Sequence, residues 1–243
     1  MGKADLHIHT RVSDGLATVQ QVLDYVEHKT DLDVIAITDH EDVNGGLRAR
    51  ELAAKGGFRF GVIVGAEVTT LQGHVLALFI ERTPKSFRSI EATLESIHAQ
   101  GGIAVVPHPL SWLTRSISQR TLHRVTERNE PGIAFDAIEL ANPSPAGRVT
   151  RRRAQANNAE QWRLPETGGS DAHHLPHIGT GWTDFEGSTE NQLRASLANK
   201  TTVGRMSAYP SAREVGYGRL ALGLAWGYTA TPRKMLRMRR DTR

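Results

Sequence analysis

The chain has no cysteine among its 243 residues. That absence removes disulfides, thiolate nucleophiles and thiolate metal sites, so any bound metal must rest on nitrogen and oxygen ligands. No apolar run approaches the roughly 20 residues a membrane-spanning helix needs. The opening MGKADLHIHT also lacks the apolar stretch and small-residue cleavage site of a secretory signal. A cytoplasmic protein with no membrane span is therefore expected. Internal repeats and Ser/Gly/Pro linkers are missing too, which favours one main domain at this length.

One sign of charge is scarce only locally. The formal net charge is +4, but residues 231–243 hold Arg233, Lys234, Arg237, Arg239, Arg240 and Arg243 against Asp241 alone. The rest of the chain is near neutral, so the basicity belongs to the tail and not to a nucleic-acid-binding face. Residues 205–243 run from Gly-rich to apolar to basic and read as an appendage to a domain over 1–204. Its apolar part is expected to pack on that domain, with weak peripheral contact to an acidic membrane surface as the other reading. Arg151 to Arg153 open a helix as a solvated face, and no stable nucleic-acid complex is expected.

What the chain does have is a rhythm of short β-type runs between helical stretches, the pattern of βα units and a mainly parallel sheet. Strands are expected at KADLHIHT, DVIAITDH, FGVIVGAEVTT, GHVLALFI, GIAVVPHP, FDAIELAN and RLPETGGSDAH, and helices near 18–29, 46–55, 86–100, 148–160 and 188–199. In the third helix Phe87, Ile90, Leu94 and Ile97 make one apolar stripe, and Gly101 and Gly102 stop it.

The apolar runs end in residues that bind metals. In β geometry Asp5, His7 and His9 share one face and Leu6 and Ile8 the other, so two imidazoles converge. Asp39 and His40, Glu67, His108, Glu139, and Asp171 with His173 close later runs. In a parallel barrel all such ends open on one rim, where active sites are assembled. Carboxylates and imidazoles gathered there would repel or change protonation unless cations lay among them. His7, His9, Asp14, His40, Glu67, His74, His108, Asp171 and His173 offer nine ligands, about three times what one catalytic zinc takes from protein. Two or three divalent ions are expected, with Asp5 orienting a ligating imidazole from behind.

The motifs DLHIHT, ITDH, GAE, PHP and GSDAH, in this order between about residues 4 and 182, resemble the PHP (polymerase and histidinol phosphatase) family of metal-dependent phosphoesterases. RVSDG and DAIELANP further resemble members acting on nucleotide-type phosphoesters. The resemblance implies a distorted TIM-like (β/α)7 barrel with a dinuclear or trinuclear centre. Carried over, His7, His9, Glu67 and Asp171 would hold one metal, Glu67 would bridge to a second held by His74 and His108, and Asp14, His40 and His173 would hold a third. The imidazole count favours Mn, Zn or Fe over Mg alone.

Such a centre implies hydrolysis of a phosphoester by a metal-activated hydroxide. Glu67, Asp171 and His173 are then the candidate catalytic residues, with His173 placed to protonate the leaving oxygen. Arg115, Asn142 and Arg148 fall on expected rim loops, where a guanidinium would clamp phosphate, and His177 follows a ligand motif closely enough to meet substrate. Trp112 is expected to fill its own loop, with stacking on a nucleobase as the other reading. Ser13 and Ser170 read as turn residues, and His28, His98 and His123 as solvent-facing helix positions. The expected partner is a small phosphorylated compound or short oligonucleotide. A histidinol-phosphatase-type monoesterase and a non-catalytic metal-binding scaffold are the alternatives. An amidohydrolase is disfavoured because no lysine ends a middle strand, where that superfamily often carries a carbamylated one.

Overall fold

The computed structural model describes residues 1–128, 130, 132–218, 221, 222, 225 and 226. In chain order the elements are β1 (Gly2–Ile8), α1 (Val19–Lys29), β2 (Val34–Ile37), α2 (Asn44–Gly56), β3 (Gly61–Thr69), β4 (His74–Leu78), α3 (Ile90–His98), β5 (Ile103–Val106), α4 (Gln119–Arg128), β6 (Ala137–Ala141), α5 (Pro145–Arg148), α6 (Arg151–Asn157), β7 (Glu166–Gly168), β8 (Gly181–Phe185), α7 (Glu190–Ala198), β9 (Val203–Met206) and α8 (Ala212–Val215). No helix among the described residues is long and apolar enough to cross a membrane.

The strands form one sheet in the order β7-β6-β5-β4-β3-β2-β1-β8-β9. The barrel closes where the segment just past β7 meets β1: the Ala172 amide donates to His7 O (3.2 Å) and the His9 amide donates to Ala172 O (3.0 Å). The result is the distorted TIM-like barrel expected, with β8 and β9 continuing the sheet beside β1. The expectation of a mainly parallel sheet needs correction. β1–β2, β2–β3, β5–β6 and β6–β7 are parallel, whereas β4 runs antiparallel to both β3 and β5, and β8 antiparallel to both β1 and β9. Only three residues, 71–73, separate Thr69–Thr70 from β4, too few for a crossover helix, so the chain turns straight back.

Two apolar shells and one interior fill the molecule. Ala4, Leu6, Val34, Ala36, Ile63, Leu76, Leu78, Val105 and Ala137 meet inside the barrel, closed at one end by Leu193 and Leu197 of α7. Outside, Ile8, Ile35 and Ile37 pack under α1 and α2, while Val64, Val106, Ile138 and Leu140 pack under α3, α4 and the α6 region. Helix starts are fixed locally: Thr18 with Gln21, and Thr189 with Gln192, form reciprocal caps on α1 and α7. The apolar stripe of α3 lies inward as its spacing predicts, with Ile90, Leu94 and Ile97 buried, but Phe87 precedes the helix and is exposed.

Within β1 the simple alternation fails. The β1–β2 register slips between Asp5 and Ile8, so Leu6 joins the barrel interior while Ile8 lies outside under the helices. At the other end, β9 stays paired to β8 through Gly181–Met206, so the sheet continues past residue 204. The basic run at 231–243 lies outside the described residues.

Candidate metal centre

The barrel rim gathers its ligand-type residues from six strands, β1 to β5 and β7, and the loops that follow them. His9 and His40 follow β1 and β2, Glu67 sits near the end of β3, and His108, Asp171 and His173 follow β5 and β7. His74 begins its strand, and it reaches the same rim because β4 runs backwards. Asp14 comes from the loop after β1. Asp39 holds that loop through its carboxylate, which accepts from the Thr10 amide (2.7 Å), the Thr10 hydroxyl (2.7 Å) and the Ser13 hydroxyl (2.6 Å).

Glu67 is the hub. Its Oε1 lies 2.8 Å from His74 Nδ1 and 3.0 Å from His108 Nε2, and its Oε2 lies 3.2, 3.3 and 3.6 Å from Nε2 of His7, His9 and His40. The rings form a closed circuit around it, with centroid separations of 4.9 to 5.9 Å from His9 through His40, His74, His108 and His7 back to His9. His173 stacks on His9 at 4.3 Å. His7, His9, Glu67, His74 and His108 are buried, whereas the Asp14, His40 and His173 side is partly open.

Four groups of donor atoms lie close enough to share an ion: His9, Asp14, His40 and His173; His7, His9 and Asp171; His7, Glu67 and His108; and His40, Glu67 and His74. All nine expected ligands are thus brought together. The partition differs from the carried-over one: His9 also joins the Asp14 group, His7, His9 and Asp171 group without Glu67, and His74 and His108 separate, the first meeting Glu67 with His40 and the second with His7.

Several imidazoles are turned to offer Nε2 inward. His7 Nδ1 meets Glu139 Oε1 (3.0 Å), His108 Nδ1 meets the Ser116 hydroxyl (2.8 Å), and His173 Nδ1 donates to Asp171 O (3.0 Å). With Nδ1 carrying the proton, His7 Nε2 points a lone pair at a carboxylate 3.2 Å away, a repulsive arrangement until a proton or a cation lies between. His9 Nδ1 and Nε2 and Asp14 Oδ1 are buried without a hydrogen-bond partner. This donor chemistry fits divalent metal ions.

The titration of the cluster says the same. Burial opposes charge on His9, but the Asp171 and Glu67 carboxylates outweigh it and push the ring up to about 10. Burial takes His40 down to about 4, with the charge on His9 and His74 adding to the fall. Glu67 and Asp171, despite burial, are held well below the usual carboxylate range by the surrounding imidazoles. Only some of the rings take a proton, so positive charge is wanted at fewer points than there are donors.

Backbone strain accompanies the site. His108 and Asp171 adopt φ of +30° and +53°, in the left-handed region that costs a non-glycine residue about 1–3 kcal/mol. The Ser144 hydroxyl donates to Asp171 Oδ2 (3.1 Å) and braces it.

Three expectations are corrected here. Asp5 orients no imidazole: its carboxylate accepts from the backbone amides of His7 (3.3 Å), Ser170 (2.9 Å) and Gly179 (2.8 Å), because the slip in β1 parts it from the histidines. Burial raises its pKa to about 6. Glu139 fills that role, since its Oε2 also accepts from the His108 amide and from Asn142 Nδ2 (both 2.8 Å). The sequence placed Glu139 at a strand end but gave no sign of which ring it would meet. Asn142 is buried and committed to Glu139 and the Ser144 amide, so it is not a rim residue open to substrate. His177 is 3% exposed beneath the Tyr209 ring, at a 3.9 Å centroid separation, and is also closed to substrate.

Arg115 is exposed on the loop after β5, and Arg148 is exposed at the end of the short helix α5. Trp112 is 75% exposed and fills no loop core. His98, expected to face solvent, instead ties α3 to Gly132 O and Asp136 Oδ2, both at 2.8 Å.

An α/β barrel that gathers six imidazoles and three carboxylates at its strand ends defines a metal-binding class of protein. Residues 151–202 match the PHP-associated (PHP_C) family model. The chain is 31% identical over 173 residues to an uncharacterized protein of Methanocaldococcus jannaschii, covering 66% of this chain and 99% of that one. It is 34% identical over 85 residues to the 3′,5′-nucleoside bisphosphate phosphatase of Chromobacterium violaceum, covering 33% of this chain and 29% of that enzyme. A solved two-domain protein from Bacteroides vulgatus, containing a predicted PHP-like metal-dependent phosphoesterase, superposes with a TM-score of 0.64 at 22% identity, over 84% of this chain and 64% of that one. The chain belongs to the PHP family.

Proposed function

We propose that the protein is a metal-dependent phosphoesterase that hydrolyses small phosphorylated compounds of nucleotide type. The observation that carries this reading is the position of Glu67 at the centre of five imidazoles, with Asp14 and Asp171 beside them at the barrel mouth. His7, His9, Asp14, His40, Glu67, His74, His108, Asp171 and His173 would hold two or three ions, for which all-nitrogen-and-oxygen ligation suits Mn, Zn or Fe. Divalent ions there supply neutralisation of phosphate charge and a water that is nucleophilic near neutral pH.

The chain's own groups do the rest. His173, with 32% of its side chain exposed, is the most open of the six imidazoles, and its Nε2 lies beside Asp14 Oδ2 at 3.2 Å. It is placed to deliver a proton to the leaving oxygen. Arg115, on the loop after β5, and Arg148, at the end of α5 after β6, would take the non-reacting phosphate oxygens. The nucleotide preference draws on the similarity to the nucleoside bisphosphate phosphatase.

The test is phosphate release by protein loaded with Mn from a panel of nucleotide mono-, di- and bisphosphates, ribose 5-phosphate and histidinol phosphate, with His9→Ala as control. Release that is abolished by a chelator and by His9→Ala is expected, with nucleotides preferred. Bound metal without release across the panel would refute the activity and leave a metal-binding scaffold. Preference for histidinol phosphate would refute the nucleotide assignment alone.

A further inference from the structure

Four of the exposed large apolar side chains among the described residues, Leu71 (61%), Phe87 (45%), Trp112 (75%) and Leu113 (46%), lie on three loops that touch one another at one side of the metal cluster. The Leu71 amide donates to Arg88 O (2.9 Å) and the Phe87 amide to Thr69 O (2.7 Å), which joins the turn before β4 to the segment before α3. At Gly73, φ is +142° and a Cβ would stand 2.5 Å from the Ser116 carbonyl carbon, so glycine lets that turn press against the loop carrying Trp112.

That loop is an arch with braced feet. His108 starts it, and its Nδ1 meets the Ser116 hydroxyl at the other foot. The Leu110 amide donates to Ile117 O (3.2 Å), and the His74 amide donates to Arg115 O (3.0 Å). Both feet are therefore tied to candidate ligands of the cluster. Arg115 Nη2 donates to Thr70 O (3.4 Å), which lays its guanidinium across the neighbouring turn. Leu110 adds a φ of +63° at the foot, strain that a loop with no task would relax.

An indole held out in water on a strained, braced arch forgoes the burial that makes tryptophan useful to a fold. A flat aromatic face on a loop that also carries exposed Arg115, with exposed Arg88 on the adjoining segment and a cluster suited to phosphate at the loop's foot, matches an unpaired nucleobase carried on a phosphorylated sugar. We propose that Trp112 forms a base-stacking subsite on the rim and takes the nucleobase of the substrate whose phosphate enters the cluster. This rests on the phosphoesterase reading and makes Trp112 a specificity-determining residue, with Leu71 and Leu113 as its apolar flank.

The test compares binding to the full chain of a 5′-phosphorylated tetradeoxyadenylate and of an abasic chain of equal length and charge, both with chelator so that neither is cleaved. Wild type is expected to bind the base-bearing chain about tenfold more tightly, Trp112→Ala to bring the two within about twofold, and Trp112→Phe to keep most of the difference. Equal or undetectable binding of the two by wild type would overturn the subsite, as would an unaltered preference in Trp112→Ala. Phosphate release on the panel above decides the activity separately. Release with no base preference sinks the subsite alone; base preference without release sinks the activity.

Discussion

Replacing Glu139 by Gln changes one atom type in a buried position and should cost the cluster a metal ligand. Oε1 of Glu139 meets His7 Nδ1, and Oε2 accepts from two donors, the His108 amide and Asn142 Nδ2. A glutamine there must present an NH2 to one of these sides. Facing the His108 side it would set a donor against two donors; facing His7 it meets only one nitrogen. The second arrangement is the cheaper, and it turns His7 Nδ1 into an acceptor and moves the ring proton to Nε2. That proton then points at Glu67 and Asp171, so His7 ceases to be a ligand. Loss of an outer partner to a ligating imidazole typically costs about 10–100-fold in metal affinity, or roughly 1.4–2.8 kcal/mol. The assay is calorimetric titration of Mn or Zn into wild type and Glu139→Gln, with the His7 tautomer read from 15N–1H long-range correlations in zinc-loaded protein. Unchanged affinity together with a proton still on His7 Nδ1 would refute the reasoning.

Gly169→Ala should damage the same contact by a different route, since its Cβ would stand 2.5 Å from Glu139 Oε1 and 2.6 Å from His7 Cβ; a fall in bound metal, measured by elemental analysis, is expected. In chelated protein His9 is pushed up to about 10 from 6.5, so its contribution to stability is full below about pH 6.5 and is lost as pH rises through about 10. The melting temperature of chelated protein should therefore fall across that window. Metal loading at pH 8 must expel the proton, which calorimetry in buffers of different ionisation enthalpy would detect; zero proton release would count against metal at His9. Leu193→Ala, in the helix that closes the barrel interior and fully buried, should cost about 2–5 kcal/mol in denaturant unfolding. A loss below about 1 kcal/mol would mean that α7 does not seal the core.

Much of this architecture was legible because short-range patterns carry it. The runs Val34–Ile37 and Ile103–Val106 are continuous apolar segments, and Ala137–Ala141 is broken only by Glu139; all three are buried on both faces and read directly as barrel strands. GWTDF and VGRM do not: glycines interrupt them, and β9 has no fully buried residue to reveal it. α4 is signalled only at His123, read as a helix position, since QRTLHRVTER buries only Thr121, Leu122 and Val125. The direction of β4 and the slip in β1 depend on partners distant in sequence. For that reason the ligand set was readable, while the group that orients His7 was not.

The site's own energetics follow from those long-range terms. His108 and Asp171 hold left-handed backbone angles that a free chain would shed, and each is held there by a neighbour: His108 by Glu139 and Ser116, Asp171 by Ser144 and the Ala172 link to β1. Closing the barrel and setting the cluster are therefore the same act, because the hydrogen bonds between Ala172 and β1 that close it also bring Asp171 within 3.6 Å of His7 and 3.5 Å of His9. Protons and metal ions then compete for one set of lone pairs. The fold supplies the geometry in either case, and the occupant decides whether the cluster merely balances its charge or performs chemistry.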